Sequence, residues 1–208
     1  MSVMRSSLLP GLIEAYRHNA NRHQERIRLF ECGLVFAQER DSIKQESRVA
    51  GLISGDRMPR NWANEKGITD FFDLKGDVET LMGLTRSEEK YSFAKAEHVS
   101  MHPGQCAQVV LLDGTVVGYV GALNPRIGQE LALDDSIFVF ELELKTLQLG
   151  TIPKAELLSK FPAVGRDLAI LVGSEIPAAQ VLASVTDNAG QYLINSRIFD
   201  VYQGDGVE

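Results

Sequence analysis

Apolar residues recur along this chain at two spacings, and the change from one to the other marks out its elements. Leu8, Leu9, Leu12, Ile13, Tyr16 and Ala20 fall at helical intervals, with Pro10 where a first turn tolerates it, so a helix is expected to run to about Asn21. Residues 27–36 (IRLFECGLVF) and 48–54 (RVAGLIS) read as strands, and Gly55-Asp56 opens a loop that holds the single tryptophan, Trp62. Asp70 is placed to cap a helix whose buried side is Phe71, Leu74, Val78, Leu81 and Met82 and which Gly83 ends. A short strand is expected over 91–98. Residues 105–112 and 115–122 flank Asp113-Gly114, a pair suited to the positive φ of a tight hairpin. Asn124-Pro125 then supplies a cap and a first helical position for a short helix to about Leu131, and 136–144 (SIFVFELEL) reads as a long strand.

After residue 150 the pattern restarts. Residues 151–160 read as a linker, followed by a strand at 167–172, a helix from Pro177 to about Asn188 and a strand at 193–202. One strand–helix–strand unit cannot close a core. The chain therefore reads as one antiparallel α+β domain over 1–150 and the front half of a second over 161–208, a piece of something longer.

Composition narrows the class. With 44% hydrophobic and 24% charged residues the chain has a soluble globular composition, and no stretch approaches the ~20 apolar residues of a membrane span. The start lacks a signal-peptide core, and two cysteines, Cys32 and Cys106, form no disulfide framework, so a cytoplasmic location is expected. A net charge of −7 argues against wholesale binding of phosphate backbone but leaves room for a local basic patch.

The most reactive-looking stretch is HVSMHPGQC, with His98, His102 and Cys106 at four-residue intervals. These types could bind zinc, yet that spacing needs a continuous helix, and Pro103-Gly104 breaks one. A cysteine nucleophile would need a base and electropositive surroundings, neither of which the sequence offers. A turn leading into a strand is the expected role. Gly114, Gly118 and Gly121 lack phosphate-loop spacing. Asp73, Asp77 and Glu79 could hold magnesium, but solvated helix acids fit as well, with Lys75 beside them.

Eight segments, in order, carry a family resemblance: MRSSLLPGL (4–12), RLFE (28–31) followed by Gly33, DFFDLKGDVE (70–79), HPGQ (102–105), GYVGALNP (118–125), FVFELE (138–143), FPAVGRDL (161–168) and FDVYQG (199–204). Together they resemble the bacterial phenylalanyl-tRNA synthetase beta subunit, in its C-terminal region. The resemblance implies an antiparallel-sheet core of class II synthetase type with flanking helices, a catalytic-like module over 1–150, and then a truncated ferredoxin-like anticodon-binding domain over 161–208. The implied whole is an alpha2-beta2 heterotetramer of the translation machinery, a ligase joining phenylalanine to tRNA(Phe) with ATP and Mg2+. Its alpha subunit carries the chemistry, and the beta subunit's editing and magnesium-associated regions precede this segment.

What the module itself does follows from its departures from class II practice. Adenylate formation needs positive charge around a triphosphate. Class II enzymes supply an arginine in a strand–loop–strand element, and here nothing before residue 27 leaves room for an earlier strand. A second arginine is expected where Glu141 and Glu143 stand. The expectation is a catalytic fold without catalytic residues and no cofactor of its own, which scaffolds the alpha subunit and contributes to tRNA binding. The tRNA contacts expected are Lys160, Arg166 and Arg197. Gly165 stands where the family usually has a basic residue, and Arg166 could instead pair with Asp167 or Asp200. Asn124 replaces the family's more usual histidine and is a good helix cap. The alternatives are a metal-dependent hydrolase built on His98, His102 and Cys106, and a stand-alone RNA-binding module.

Overall fold

Leu9, Leu12, Ile13 and Tyr16 are the buried side of α1 (Leu9–Ala20), and Pro10 lies in its first turn, where a missing N–H breaks no helical bond. The computed structural model describes residues 3–39, 42–133, 136–150, 152, 154–155 and 160–202, the side chain of Glu88 excepted. The strands after α1 run longer than their apolar pattern. β1 (Arg26–Glu39) and β2 (Ser42–Gly55) pair in register throughout, and their outer ends are exposed, so no hydrophobic signal marks them. Together they form an antiparallel strand–loop–strand pair, and no described residue before Arg26 belongs to a strand.

α2 (Phe71–Gly83) starts on a capping box: the Asp70 carboxylate accepts the N–H groups of Phe72 and Asp73, and Asp73 accepts that of Asp70. β3 (Tyr91–Lys95) precedes β4 (Met101–Leu111) and β5 (Val116–Leu123). Gly114 has a φ of 85° in the hairpin turn between β4 and β5, and the Thr115 N–H donates to Asp113 Oδ1. β4 begins earlier than expected and carries His102-Pro-Gly inside it, at a shift of register between Met101 and Cys106. Asn124 caps α3 (Pro125–Glu130), and β6 (Ile137–Glu143) leads into α4 (Leu144–Leu147).

The six strands form one antiparallel sheet in the order β1-β2-β6-β5-β4-β3. The last strand in sequence thus lies in the middle, buried on both sides. One face sets Ala50, Leu52, Met101, Cys106 and Val139 beneath α1, with Ile127 and Leu131 of the α3 region at its margin. The other packs Val49, Ile53, Val109, Val120, Phe138, Phe140 and Leu142 against Leu74, Val78 and Met82 of α2 and Leu147 of α4. Alternation along each strand sorts the two sets. The result is a helix–sheet–helix sandwich. Gly51 is bare where the Phe140 ring crosses it: an added Cβ would stand 2.3 Å from the ring.

The chain divides into two compact units, Met1–Ala155 and Glu156–Glu208. In the second, α5 (Ala178–Ala189) forms, with Val181, Leu182 and Val185 as its least exposed positions. The strands expected at 167–172 and 193–202 do not form, and no described residue of this unit is paired into a sheet. Of the partial ferredoxin-like strand–helix–strand, the described residues thus show the helix. A strand's N–H and C=O groups are satisfied by a neighbouring strand, and neither segment has one here. Much of the expected linker (151, 153 and 156–159) and residues 203–208 lie outside the described residues.

Candidate functional site

Strand register on the α1 face brings polar side chains into a strip. Glu31, Ala50, Glu141, Tyr119 and Gln108 lie side by side on β1, β2, β6, β5 and β4. Gly33, Arg48 and Glu143 form the next row. On the other side of this strip the row Leu29, Leu52, Val139, Gly121 and Cys106 is apolar.

The strip is occupied from within. Glu141, only 8% exposed, accepts the Leu8 N–H and the Ser7 hydroxyl, each at 2.8 Å, where α1 begins. A carboxylate there satisfies a helix-terminal donor and faces the positive end of the helix dipole. The preceding residues lie along β1: the Arg5 guanidinium pairs with Glu31 and donates through Nε to the Leu34 carbonyl at 2.9 Å. Gly33 makes room for it, since a Cβ there would stand 2.2 Å from Arg5 Nη2.

Each cation of the strip has an acidic partner. Arg48 and Lys44 both bind Glu46, at 2.7 and 3.0 Å. The hydrogen bond from Arg48, then that from Lys44, holds the Glu46 carboxyl below the usual range. Burial lowers the pKa of His98, whose ring lies on Tyr119 with centroids 4.7 Å apart. With Glu141 and Glu143 added, the strip has no excess of positive charge to receive a triphosphate.

The stretch 98–106 does not assemble into a reactive centre. Cys106 is buried with its Sγ 3.6 Å from Met101 Sδ, and burial raises its thiol pKa, the reverse of what a nucleophile needs. His102 Nδ1 accepts the Gly104 N–H at 2.9 Å. The acids of α2 are engaged separately: Asp73 with Arg57, Asp77 with Arg28, and Glu79 with Lys75. Among the described residues no three His, Cys, Asp or Glu side chains are grouped to hold a metal ion, and the donors present do not fit a magnesium site. A shallow cavity of about 310 Å³ lies beside His102, Gln105, Asn124, Gln129 and Ser136.

Residues 1–144 match the family described as phenylalanyl tRNA synthetase beta chain CLM domain. The chain belongs to the phenylalanyl tRNA synthetase beta chain family. Residues 159–208 match the ferredoxin-fold anticodon binding domain. The phenylalanine–tRNA ligase beta subunit of Pseudomonas fluorescens (strain Pf0-1) is 45% identical over 208 residues, covering 100% of this chain and 26% of the relative. That of Colwellia psychrerythraea (strain 34H) is 44% identical over 211 residues, with the same coverage. The chain thus spans about a quarter of these relatives' length. A pyrrolysyl tRNA synthetase, PylSc of Desulfitobacterium hafniense, aligns over 69% of this chain and 48% of its own, with a TM-score of 0.46 and 15% identity.

In this synthetase beta chain the three cations expected to meet RNA all lie in the second unit. Lys160 and Arg166 precede α5, Arg197 follows it, and all three are exposed. Among the described residues no ion pair joins Arg166 to Asp167 or Asp200. The hydrolase and stand-alone RNA-binding alternatives find no support in the family or the geometry. Sequence reasoning saw Glu141 only as a charge hostile to phosphate. Its bonds to the start of α1 went unread, although an acid on the inward side of an apolar strand is a signal for such a partner.

Proposed function

We propose that this chain is a catalytically silent portion of the beta subunit of phenylalanine–tRNA ligase, a class II synthetase. Residues 1–150 act as the class II-like module that scaffolds the alpha subunit, 151–160 as a linker, and 161–208 as part of an anticodon-binding domain. It supports ATP-dependent attachment of phenylalanine to tRNA(Phe) without performing a step itself, inside a cytoplasmic alpha2-beta2 heterotetramer. ATP and Mg2+ are used at the alpha subunit. Among the described residues no helix is long and apolar enough to cross a membrane.

One observation carries the proposal of silence. Where an ATP-binding face would need an arginine, Glu141 is committed to Ser7 and Leu8 at the start of α1. Phosphate and this carboxylate cannot share the position, because removing Glu141 would also release the α1 terminus. For tRNA, Lys160, Arg166 and Arg197 offer exposed cations suited to an RNA backbone or to unstacked bases.

Co-expression with the tagged alpha subunit of phenylalanine–tRNA ligase tests the scaffold role. The account expects the two chains to co-purify through a wash in moderate salt. Clean separation of a folded 208-residue chain from the alpha subunit would overturn it.

A further inference from the structure

We propose that the loop between β2 and α2, residues 56–68, docks on the alpha subunit, with the Trp62 indole seated in an apolar pocket of that partner. The proposal rests on the scaffold role above and gives that role a surface. Trp62, the single tryptophan of the chain, is 98% exposed. Met58 and Ile68 of the same loop, and Phe72 in the first turn of α2, are exposed as well. A bare indole on a slack loop would mean little, but this loop is braced at its base, near its tip and on its flanks.

At the base Asp56 and Ile68 form an antiparallel bridge. The Arg57 N–H donates to the Gly67 carbonyl at 2.8 Å, and the Thr69 N–H to the Gly55 carbonyl at 2.9 Å. Near the tip Asn61 Oδ1 accepts the N–H groups of Ala63 and Asn64, at 2.9 and 2.8 Å, and Asn64 Nδ2 donates to the Pro59 carbonyl at 2.9 Å. These local bonds turn the chain around Trp62 and leave its side chain outside. On the flanks Arg57 binds Asp70 and Asp73 at the start of α2, at 2.8 and 2.9 Å. Arg60 binds Asp56 and Glu25, at 2.6 and 2.8 Å, and Arg28 of β1 donates to the Arg57 carbonyl at 3.3 Å. A loop held in one conformation beforehand has less ordering entropy to lose when a partner binds.

The charges decide the kind of partner. Arg57 and Arg60 are each held between two carboxylates, and the two remaining loop charges, Glu65 and Lys66, are opposite in sign. The loop has no excess of positive charge to draw a phosphate backbone, which separates it from a base-stacking platform for RNA. Tryptophan, methionine and phenylalanine among neutralised arginines are instead the make-up of a protein–protein hot spot. The matching surface is an uncharged pocket wide enough for an indole, with hydrogen-bonding groups around it and no run of either charge. In the assembly proposed above, the alpha subunit is the protein that supplies it.

Labelling the 208-residue chain with 5-fluorotryptophan gives one fluorine resonance, from Trp62, and titration with unlabelled alpha subunit of phenylalanine–tRNA ligase tests the proposal. The resonance should move on binding and lose the shift between H2O and D2O that a solvent-exposed indole shows. Trp62→Ala should weaken binding by about 30-fold or more, as loss of a hot-spot side chain does, with the circular dichroism of the large sheet unchanged. Asn61→Ala, which frees the loop but keeps the indole, should weaken it by roughly 3–10-fold. Leu112→Ala, at another exposed side chain, in the β4–β5 hairpin, should leave binding unchanged. A chain that does not bind the alpha subunit at all would overturn the scaffold role and this proposal together. Binding that leaves the resonance in place, or that is equally tight in Trp62→Ala, would overturn this proposal alone. So would a resonance that moves with tRNA(Phe) and not with the alpha subunit.

Discussion

Residues 137–143 and 167–172 carry the same kind of sequence, a short apolar run of high strand propensity, yet only the first is a strand. β6 is inserted between β2 and β5, so its main-chain groups are paired on both sides and nearly every side chain is buried. The second segment has no neighbour among the described residues, and Leu168 and Leu171 stay exposed. The difference lies outside either segment. A strand belongs to a pair, and apolar alternation states only that a segment would suit one.

The largest effect expected from this contrast comes from matched truncations. Leu142→Ala removes a side chain with 0% exposure from the middle of the large sheet and should destabilise that unit by about 2–5 kcal/mol in denaturant titration. Leu171→Ala, at a residue 71% exposed, should change stability by no more than ~0.5 kcal/mol. Equal losses would mean that the second unit has a core of its own and would dissolve the comparison.

A smaller effect separates packing from polar anchoring within β6. Glu141→Ala leaves the Leu8 N–H and the Ser7 hydroxyl without their acceptor at a buried site and should destabilise the large unit by about 1–3 kcal/mol. Ser7→Ala removes one of those bonds and should lose ~1 kcal/mol. If Glu141→Ala proved neutral, the carboxylate would not be what holds the start of α1 on the sheet.

Much of the large unit was legible in the sequence, because its signals are local. Asp70 and Asn124 announce the caps of α2 and α3, Asp113-Gly114 announces the hairpin, and the 3.6-residue stripe of α1 falls where Leu9, Leu12, Ile13 and Tyr16 are buried. The outer halves of β1 and β2 were not, since Lys44, Gln45 and Glu46 are polar and pair through their backbones alone. Nor was the placing of β6 in the middle of the sheet, which depends on contacts between distant segments. The polar strip was half legible. Glu141 and Glu143 stood out as acids, but Glu141 meets Ser7 and Leu8 only once segments 134 and 133 positions apart in the chain are brought together. In the second unit the helix was readable from its own pattern, and the fate of the flanking strands was not, because it depends on partners those strands lack here.

The central claim is that the α1 face of the sheet is filled by its own chain and performs no chemistry. Phenylalanine-dependent ATP–pyrophosphate exchange by the purified 208-residue chain, in magnesium buffer and without the alpha subunit, tests it most directly. The account predicts exchange no faster than in a blank without protein. Exchange above the blank that disappears when Arg48 is replaced by Ala would contradict it.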